Sequence, residues 1–281
     1  MVFCDLHTHS NFSDGSFTPE EIISEAKKLS LTVALTDHNT VEGLEVFLEE
    51  AQRQGVTAIG GTELTTDCNG TELHLLGLFI DPVFYDDVEN LVKKFRKLKE
   101  KSNTDMLERF NAAGFALDYE SIKKRSKNGN VNRVQFAHEL VEKGYAETVN
   151  EAFEKYLDER KEYYVPSEHL KLIDAIRFLR KIRAVPVLAH PLQELDEASL
   201  REILPEAIEA GLLGMETYHS SYDNEKIALA VKIAAEFGLY QSGGSDFHGE
   251  GKRDIKLAEG KGNLAIPLLV YEKLKSLKET L

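Results

Sequence analysis

The chain predicts an α/β fold, a distorted (β/α)7 barrel with a helical insertion domain, and three observations carry that expectation. Short apolar runs alternate with amphipathic helical patterns through most of the 281 residues. The apolar runs that read as strands number seven, one fewer than a regular (β/α)8 barrel needs. The stretch from about 84 to 165 abandons the alternation for helix and loop. We therefore assign residues 1–84 and 166–281 to the barrel, and 85–165 to a helical insertion in it.

Strands are expected near 2–6, 32–36, 56–61, 73–80, 185–189, 213–217 and 239–243. The first helix opens at Thr18-Pro19-Glu20-Glu21, where Thr18 with Glu21 makes a capping box and Pro19 takes the first helical position. Ile22, Ile23, Ala26 and Leu29 recur at helical spacing and supply its buried face. Further barrel helices fit 41–53, 168–183, 198–210, 223–237 and 267–279, and the insertion carries helical segments near 85–113, 131–142 and 149–158. Residues 84–130 hold eleven Lys/Arg against eight Asp/Glu, concentrated in Lys93-Lys94-Phe95-Arg96-Lys97-Leu98-Lys99-Glu100-Lys101. Such a run reads first as a solvated helix face.

Composition narrows the function classes. A formal net charge of 34 − 48 = −14 opposes broad attraction to nucleic acid, so no stable DNA complex is expected, although a local basic pocket is compatible with it. Cys4 and Cys68 fall in no paired metal-binding spacing and are too few for a disulfide framework. No basic start followed by an apolar stretch suggests a signal peptide, and runs such as Leu75–Ile80 are far too short to span a bilayer. The expectation is a soluble, cytoplasmic protein without a membrane partner.

The unusual residues sit where barrel chemistry is built, at the ends of strands. His7 and His9 are two apart, so alternation along the first strand puts both imidazoles on one face. Asp14 follows on a Ser-Asp-Gly turn, Asp37-His38 after the second strand, Glu63 after the third and His74 in the fourth. His190 ends the fifth strand in Ala-His-Pro, and Asp246 and His248 end the seventh in Ser-Asp-Phe-His. A lone strand-end histidine is more often a hydrogen-bonded framework residue, and Asp14 alone is an ordinary turn former. Together, six of the nine histidines and three carboxylates gather at this rim, which chance does not explain. Imidazole and carboxylate donors without thiolate suit Zn, Mn or Fe, and nine are too many for one ion. Two or three divalent metals fit the count. Metals about 3.5–4 Å apart clamp the attacking and leaving oxygens of a displacement at phosphorus and lower the pKa of a shared water, which points to phosphate ester hydrolysis.

The ordered set His-x-His, Thr-Asp-His-Asn, Gly-Thr-Glu, a mid-chain His, Ala-His-Pro and Ser-Asp-x-His resembles the PHP (polymerase and histidinol phosphatase) superfamily from residue 2 to about 250. That resemblance implies a distorted (β/α)7 barrel with a trinuclear centre. His7, His9, Glu63 and Asp246 would hold one metal, Glu63, His74 and His190 a second, and Asp14, His38 and His248 a third. Histidinol phosphatases of the superfamily usually carry His where this chain has Asp14, whereas the Ser-Asp-Gly form is similar to a branch acting on nucleoside 3′,5′-bisphosphates and short RNA 5′ ends. His74 lies near the start of its apolar run, so either that strand is irregular or residues 56–80 form an antiparallel excursion.

The same branch resembles residues 131–166, with an Arg at the head of an insertion helix, here Arg133. Its planar fork would bind phosphate beside a helix N-terminus. Lys252 and Arg253 are further candidates for substrate phosphate. His219, after the sixth strand, is a candidate catalytic proton donor alongside Asp246, and Asp37 is expected to orient His38 or a neighbouring ligand from behind. The expected substrate is a small phosphorylated molecule, a nucleotide or short RNA. Histidinol or sugar phosphates and cyclic phosphodiesters are alternatives, and an RNA-binding or polymerase-associated scaffold is the non-enzymatic one.

Overall fold

A computed structural model describes residues 3–125, 131–158 and 160–281. Seven strands form one sheet in the order β1 to β7: Cys4–Asp5, Thr32–Leu35, Ala58–Cys68, Thr71–Leu78, Val185–Leu188, Gly214–His219 and Tyr240–Gly244. The first strand returns to the last: Leu6 N–H donates to Gly243 O at 3.1 Å and Asp246 N–H to His7 O at 2.9 Å. The distorted (β/α)7 barrel is thus borne out.

Its distortion lies at β3 and β4. These strands form an antiparallel hairpin, and β4 is antiparallel to β5 as well, while the other neighbours are parallel. The hairpin turns at Asn69 (φ 54°) and Gly70 (φ 87°), the two positive-φ residues that a tight two-residue turn requires. The third strand consequently runs on to Cys68, seven residues past the predicted end at 61. The antiparallel excursion, one of the two alternatives open for residues 56–80, is the correct one.

The helices of the barrel unit are α1 (Pro19–Leu29) and α2 (Leu44–Gln54), and the structure next enters α3 (Tyr85–Ala112). The insertion adds α4 (Tyr119–Lys124), α5 (Arg133–Glu142) and α6 (Val149–Ala152), after which α7 (Leu172–Lys181), α8 (Pro191–Glu194), α9 (Glu197–Ala210), α10 (Asn224–Glu236) and α11 (Leu268–Lys278) return to barrel packing. The capping box of α1 forms as expected, with Thr18 accepting from Glu21 N–H and Glu21 from Thr18 N–H. No helix among the described residues is long and apolar enough to cross a membrane.

The chain divides into two compact units, residues 1–90 with Leu170–Leu281, and Leu91–His169. In the first, Cys4, Leu6, Ala34, Ile59, Leu76, Val185, Val187 and Ile266 share one apolar cluster. By alternation Asp5, His7 and His9 point the other way. In the second, Phe110, Phe136 and Leu140 centre a separate core, with Tyr163 stacked on Phe110 at 4.5 Å.

Candidate metal centre

Glu63 is the hub. It is fully buried on β3, and its two oxygens serve different neighbours. Oε2 lies 3.1 Å from His7 Nε2, 3.2 Å from His9 Nε2 and 3.1 Å from His38 Nδ1. Oε1 lies 2.8 Å from His74 Nδ1 and 3.1 Å from His190 Nε2. The hairpin explains His74: it pairs with Thr65 while Glu63 pairs with Leu76, so the two side chains are diagonal neighbours on one face. In a parallel strand the same residue would sit at the far end of the barrel.

Asp246 Oδ1 completes the first group at 3.3 Å from His9 Nε2 and 3.8 Å from His7 Nε2. A third group forms where His248 Nε2 approaches Asp14 Oδ1 at 3.2 Å and His38 Nε2 approaches Asp14 Oδ2 at 3.9 Å, with His9 beside them. All nine residues of the expected set therefore converge. Two of them, His190 (φ 28°) and Asp246 (φ 58°), hold left-handed backbone that non-glycine residues seldom adopt, and such outliers cluster at functional sites.

The donor set fits divalent metal ions on two counts. Atoms bound about 2.1 Å from one ion stand about 3.0–3.4 Å apart, which is the spacing seen around Glu63. Meanwhile His7 Nε2, both ring nitrogens of His9, Glu63 Oε2 and His74 Nδ1 are buried without a hydrogen bond among the described residues. Buried polar atoms close together yet not hydrogen-bonded to one another leave a common point for a cation.

The electrostatics agree. Burial opposes ionisation of Glu63, but the imidazoles of His38, His7 and His74 outweigh it and hold the carboxyl well below the usual range. Burial likewise opposes ionised Asp246, which the neighbouring imidazoles of His219, His9 and His7 hold low. Burial pushes His9 and His74 down, yet Asp246 and Glu63 for the first and Glu63 for the second lift them to about 9 and about 10. The cage therefore attracts cations, protons when no metal competes.

His219 stands beside this centre, Nε2 3.6 Å from Asp246 Oδ2. Its Nδ1 accepts from Ser221 N–H at 3.2 Å, so the ring proton belongs on Nε2, which is buried without a hydrogen bond and faces the cluster. A register shift between Glu216 and Tyr218 re-aims the end of β6 that carries it. Lys252 Nζ lies 2.6 Å from Asp246 Oδ2.

The remaining expected residues have the following partners. Arg253 is not brought to the cluster; its exposed guanidinium pairs with Glu250 at 3.0 Å, because the short helical turn Gly249–Lys252 points it outward. Of the two roles expected for Asp37, its hydrogen bonds match the second, toward neighbouring ligands. It accepts from Ser10 N–H (2.8 Å), Ser10 Oγ (2.6 Å) and Ser13 Oγ, and so pins the loop between His9 and Asp14. Arg133 belongs to the insertion unit, at the first turn of α5, with its guanidinium 5.1 Å from the ring centroid of Tyr164.

Sequence reasoning missed two buried carboxylates behind the ligands. Glu216 takes His7 Nδ1 at 3.1 Å on one oxygen and His190 N–H at 2.8 Å on the other. Asp5 accepts from Ser245 N–H and Ala258 N–H, both at 2.8 Å, and holds the turn that presents Asp246. The available signal was an acid inside an apolar strand run, Cys4-Asp5-Leu6 and Met215-Glu216-Thr217, since buried acids are rare unless paired.

Comparison with known proteins places this geometry. A family model described as PHP domain matches residues 5–248. A 3′,5′-nucleoside bisphosphate phosphatase of Chromobacterium violaceum is 32% identical over 273 residues, 95% of each chain. A 5′-3′ exoribonuclease of Escherichia coli is 32% identical over 252 residues, 88% of this chain and 85% of that protein. A crystal structure of a metal-dependent phosphoesterase from Bifidobacterium adolescentis superposes with a TM-score of 0.71 at 28% identity, covering 97% of this chain and 95% of the other. The chain belongs to the PHP domain family of metal-dependent phosphoesterases.

Proposed function

We propose that this phosphoesterase hydrolyses a phosphate ester of a nucleotide-type substrate, a nucleoside 3′,5′-bisphosphate or the 5′ end of a short RNA, at a centre of two or three metals. The convergence of six imidazoles and three carboxylates around Glu63 carries the reading. His7, His9, Glu63 and Asp246 hold one ion, Glu63, His74 and His190 a second, and Asp14, His38 and His248 a third. Bound divalent ions of the Mn, Fe or Zn type supply Lewis-acid polarisation of phosphoryl oxygens and a nucleophile at neutral pH.

The chain's own groups do the rest. Asp246 is held ionised and so cannot donate, whereas His219, whose Nε2–H faces the cluster, donates a hydrogen bond to the leaving oxygen and stabilises the charge that develops there. Lys252 places an ammonium at the edge of the centre, where phosphate charge develops. Arg133 anchors a second phosphate, as its position in an Asn132-capped helix start favours. The nucleotide class rests on the two relatives and on Asp14, the Ser-Asp-Gly feature.

A panel decides it: adenosine 3′,5′-bisphosphate, a 5′-phosphorylated short RNA, histidinol phosphate, a sugar phosphate and a cyclic phosphodiester, each with metal-reconstituted protein. Turnover of the first two by several decades over the others is expected. Preference for any of the last three would replace the nucleotide reading.

A further inference from the structure

Helix α3 carries a feature the metal centre does not use. Within an acidic chain, its residues Lys93, Lys94, Arg96 and Lys97 are exposed. Lys93, Lys97 and Lys101 follow one line at i, i+4 spacing, with Lys94 beside them. Val92, Ser102, Asn103 and Met106 take the buried side of the helix. Two nearby charges are committed elsewhere: Glu100 accepts from Tyr119 Oη at 2.8 Å, and Lys101 pairs with Asp105 at 2.7 Å.

Lys93, Lys94 and Lys97 are different. Among the described residues none has a carboxylate within 4.0 Å, and Lys94 instead lies 5.0 Å from the ring centroid of Phe95. Ordinary solvated helix faces interleave acids at i±4, which offset the repulsion that like charges suffer at that spacing. Here the one acid at an i±4 position is Glu89, whose Oε1 accepts from Thr40 Oγ1 and Val41 N–H, so the repulsion stands. From Lys93 to Lys97 the stripe runs about 6 Å along the helix, about the step between consecutive phosphates of one strand. Cations following a line next to an aromatic ring are the elements with which proteins hold single strands.

We propose that this stripe docks the backbone of single-stranded RNA, so that a strand gains affinity for the protein from it. The inference rests on the nucleotide reading above and names single-stranded RNA as the class of partner that the stripe takes. One basic line on one helix face suits a flexible single strand, which can follow it, better than a broad anionic surface.

The test compares the full-length protein with its Lys93→Gln/Lys94→Gln/Lys97→Gln variant. Binding of a labelled phosphorothioate octaribonucleotide is followed by anisotropy across a fourfold range of salt, and turnover of adenosine 3′,5′-bisphosphate is measured in parallel. Three phosphate contacts carry a log–log slope of roughly −2, or about 20-fold in affinity over that range, which the variant should lose. Bisphosphate turnover should be unchanged. An octamer that binds the variant as tightly as the parent overturns the proposal, as does a wild-type octamer no tighter than a dinucleotide. If the parent turns over no nucleotide at all, the functional reading fails, and the binding comparison still decides the stripe.

Discussion

Glu216→Gln isolates what the buried carboxylate behind His7 does. The native carboxylate accepts twice, from His7 Nδ1–H at 3.1 Å and from His190 N–H at 2.8 Å. A glutamine of the same shape has one carbonyl to offer. The backbone N–H of His190 cannot reverse its role, so the carbonyl turns there and the amide NH2 faces His7 Nδ1. That moves the imidazole proton to Nε2, the nitrogen 3.1 Å from Glu63 Oε2 on the cluster side. A protonated nitrogen cannot bind metal. Removing the partner of a ligand histidine costs 10- to 100-fold in metal affinity, about 1.4–2.7 kcal/mol, and this variant belongs at the upper end. Glu216→Ala should also lower the thermal stability of the metal-free protein, because two buried donors lose acceptors at about 1–3 kcal/mol each. Titration of metal into stripped protein against a chromophoric chelator measures the first effect, and calorimetric melting the second. Metal affinity within twofold of the parent in Glu216→Gln would refute the claim that this carboxylate sets the tautomer of His7.

Further outcomes follow from the same geometry. In metal-free protein His9 and His74 titrate at about 9 and about 10 against about 6.5 unfolded, so their stabilising contribution is full below about pH 6.5 and is lost as pH rises through 9 to 10. Stripped protein should melt progressively lower from pH 7 to 10, and metal uptake near neutrality should release protons, visible as buffer-dependent calorimetric heats; uptake without proton release would contradict the assignment. Gly244→Ala should abolish metal binding, since a Cβ there would lie 2.2 Å from His7 Cβ and 2.5 Å from His7 N; retained affinity would show that β1 yields. Lys252→Ala and Arg133→Ala should raise KM for the bisphosphate about tenfold or more with a smaller effect on kcat, whereas Arg253→Ala, whose side chain pairs with Glu250 in solvent, should change neither.

The sequence was most legible where spacing alone decides geometry. His7 and His9 share a face because strands alternate, and the Thr18–Glu21 box starts α1 because its hydrogen bonds are local. The ordered ligand set was likewise readable, since every member except Asp14, which lies on a Ser-Asp-Gly turn, ends, follows or lies in a strand-like run. The placement of His74 was not, because its distance from Glu63 depends on strand direction. The Asn69-Gly70 pair was the signal for the hairpin. Glu216 and Asp5 were hidden for another reason: a carboxylate in an apolar strand shows its partner only after the strands are assembled. Arg253 shows the converse. Adjacency to Lys252 in sequence implied a shared task, but one helical step turns the two side chains apart.

The central claim is that Glu63 organises a cluster of more than one metal that hydrolyses phosphate esters. Metal content per chain, read by inductively coupled plasma mass spectrometry on the anaerobically purified parent and on Glu63→Gln, alongside hydrolysis of adenosine 3′,5′-bisphosphate, tests it most directly. The account predicts two to three equivalents of Mn, Fe or Zn in the parent, with both metal and activity lost together in the variant. Full activity in a parent holding one equivalent or fewer, or an active Glu63→Gln, would contradict it.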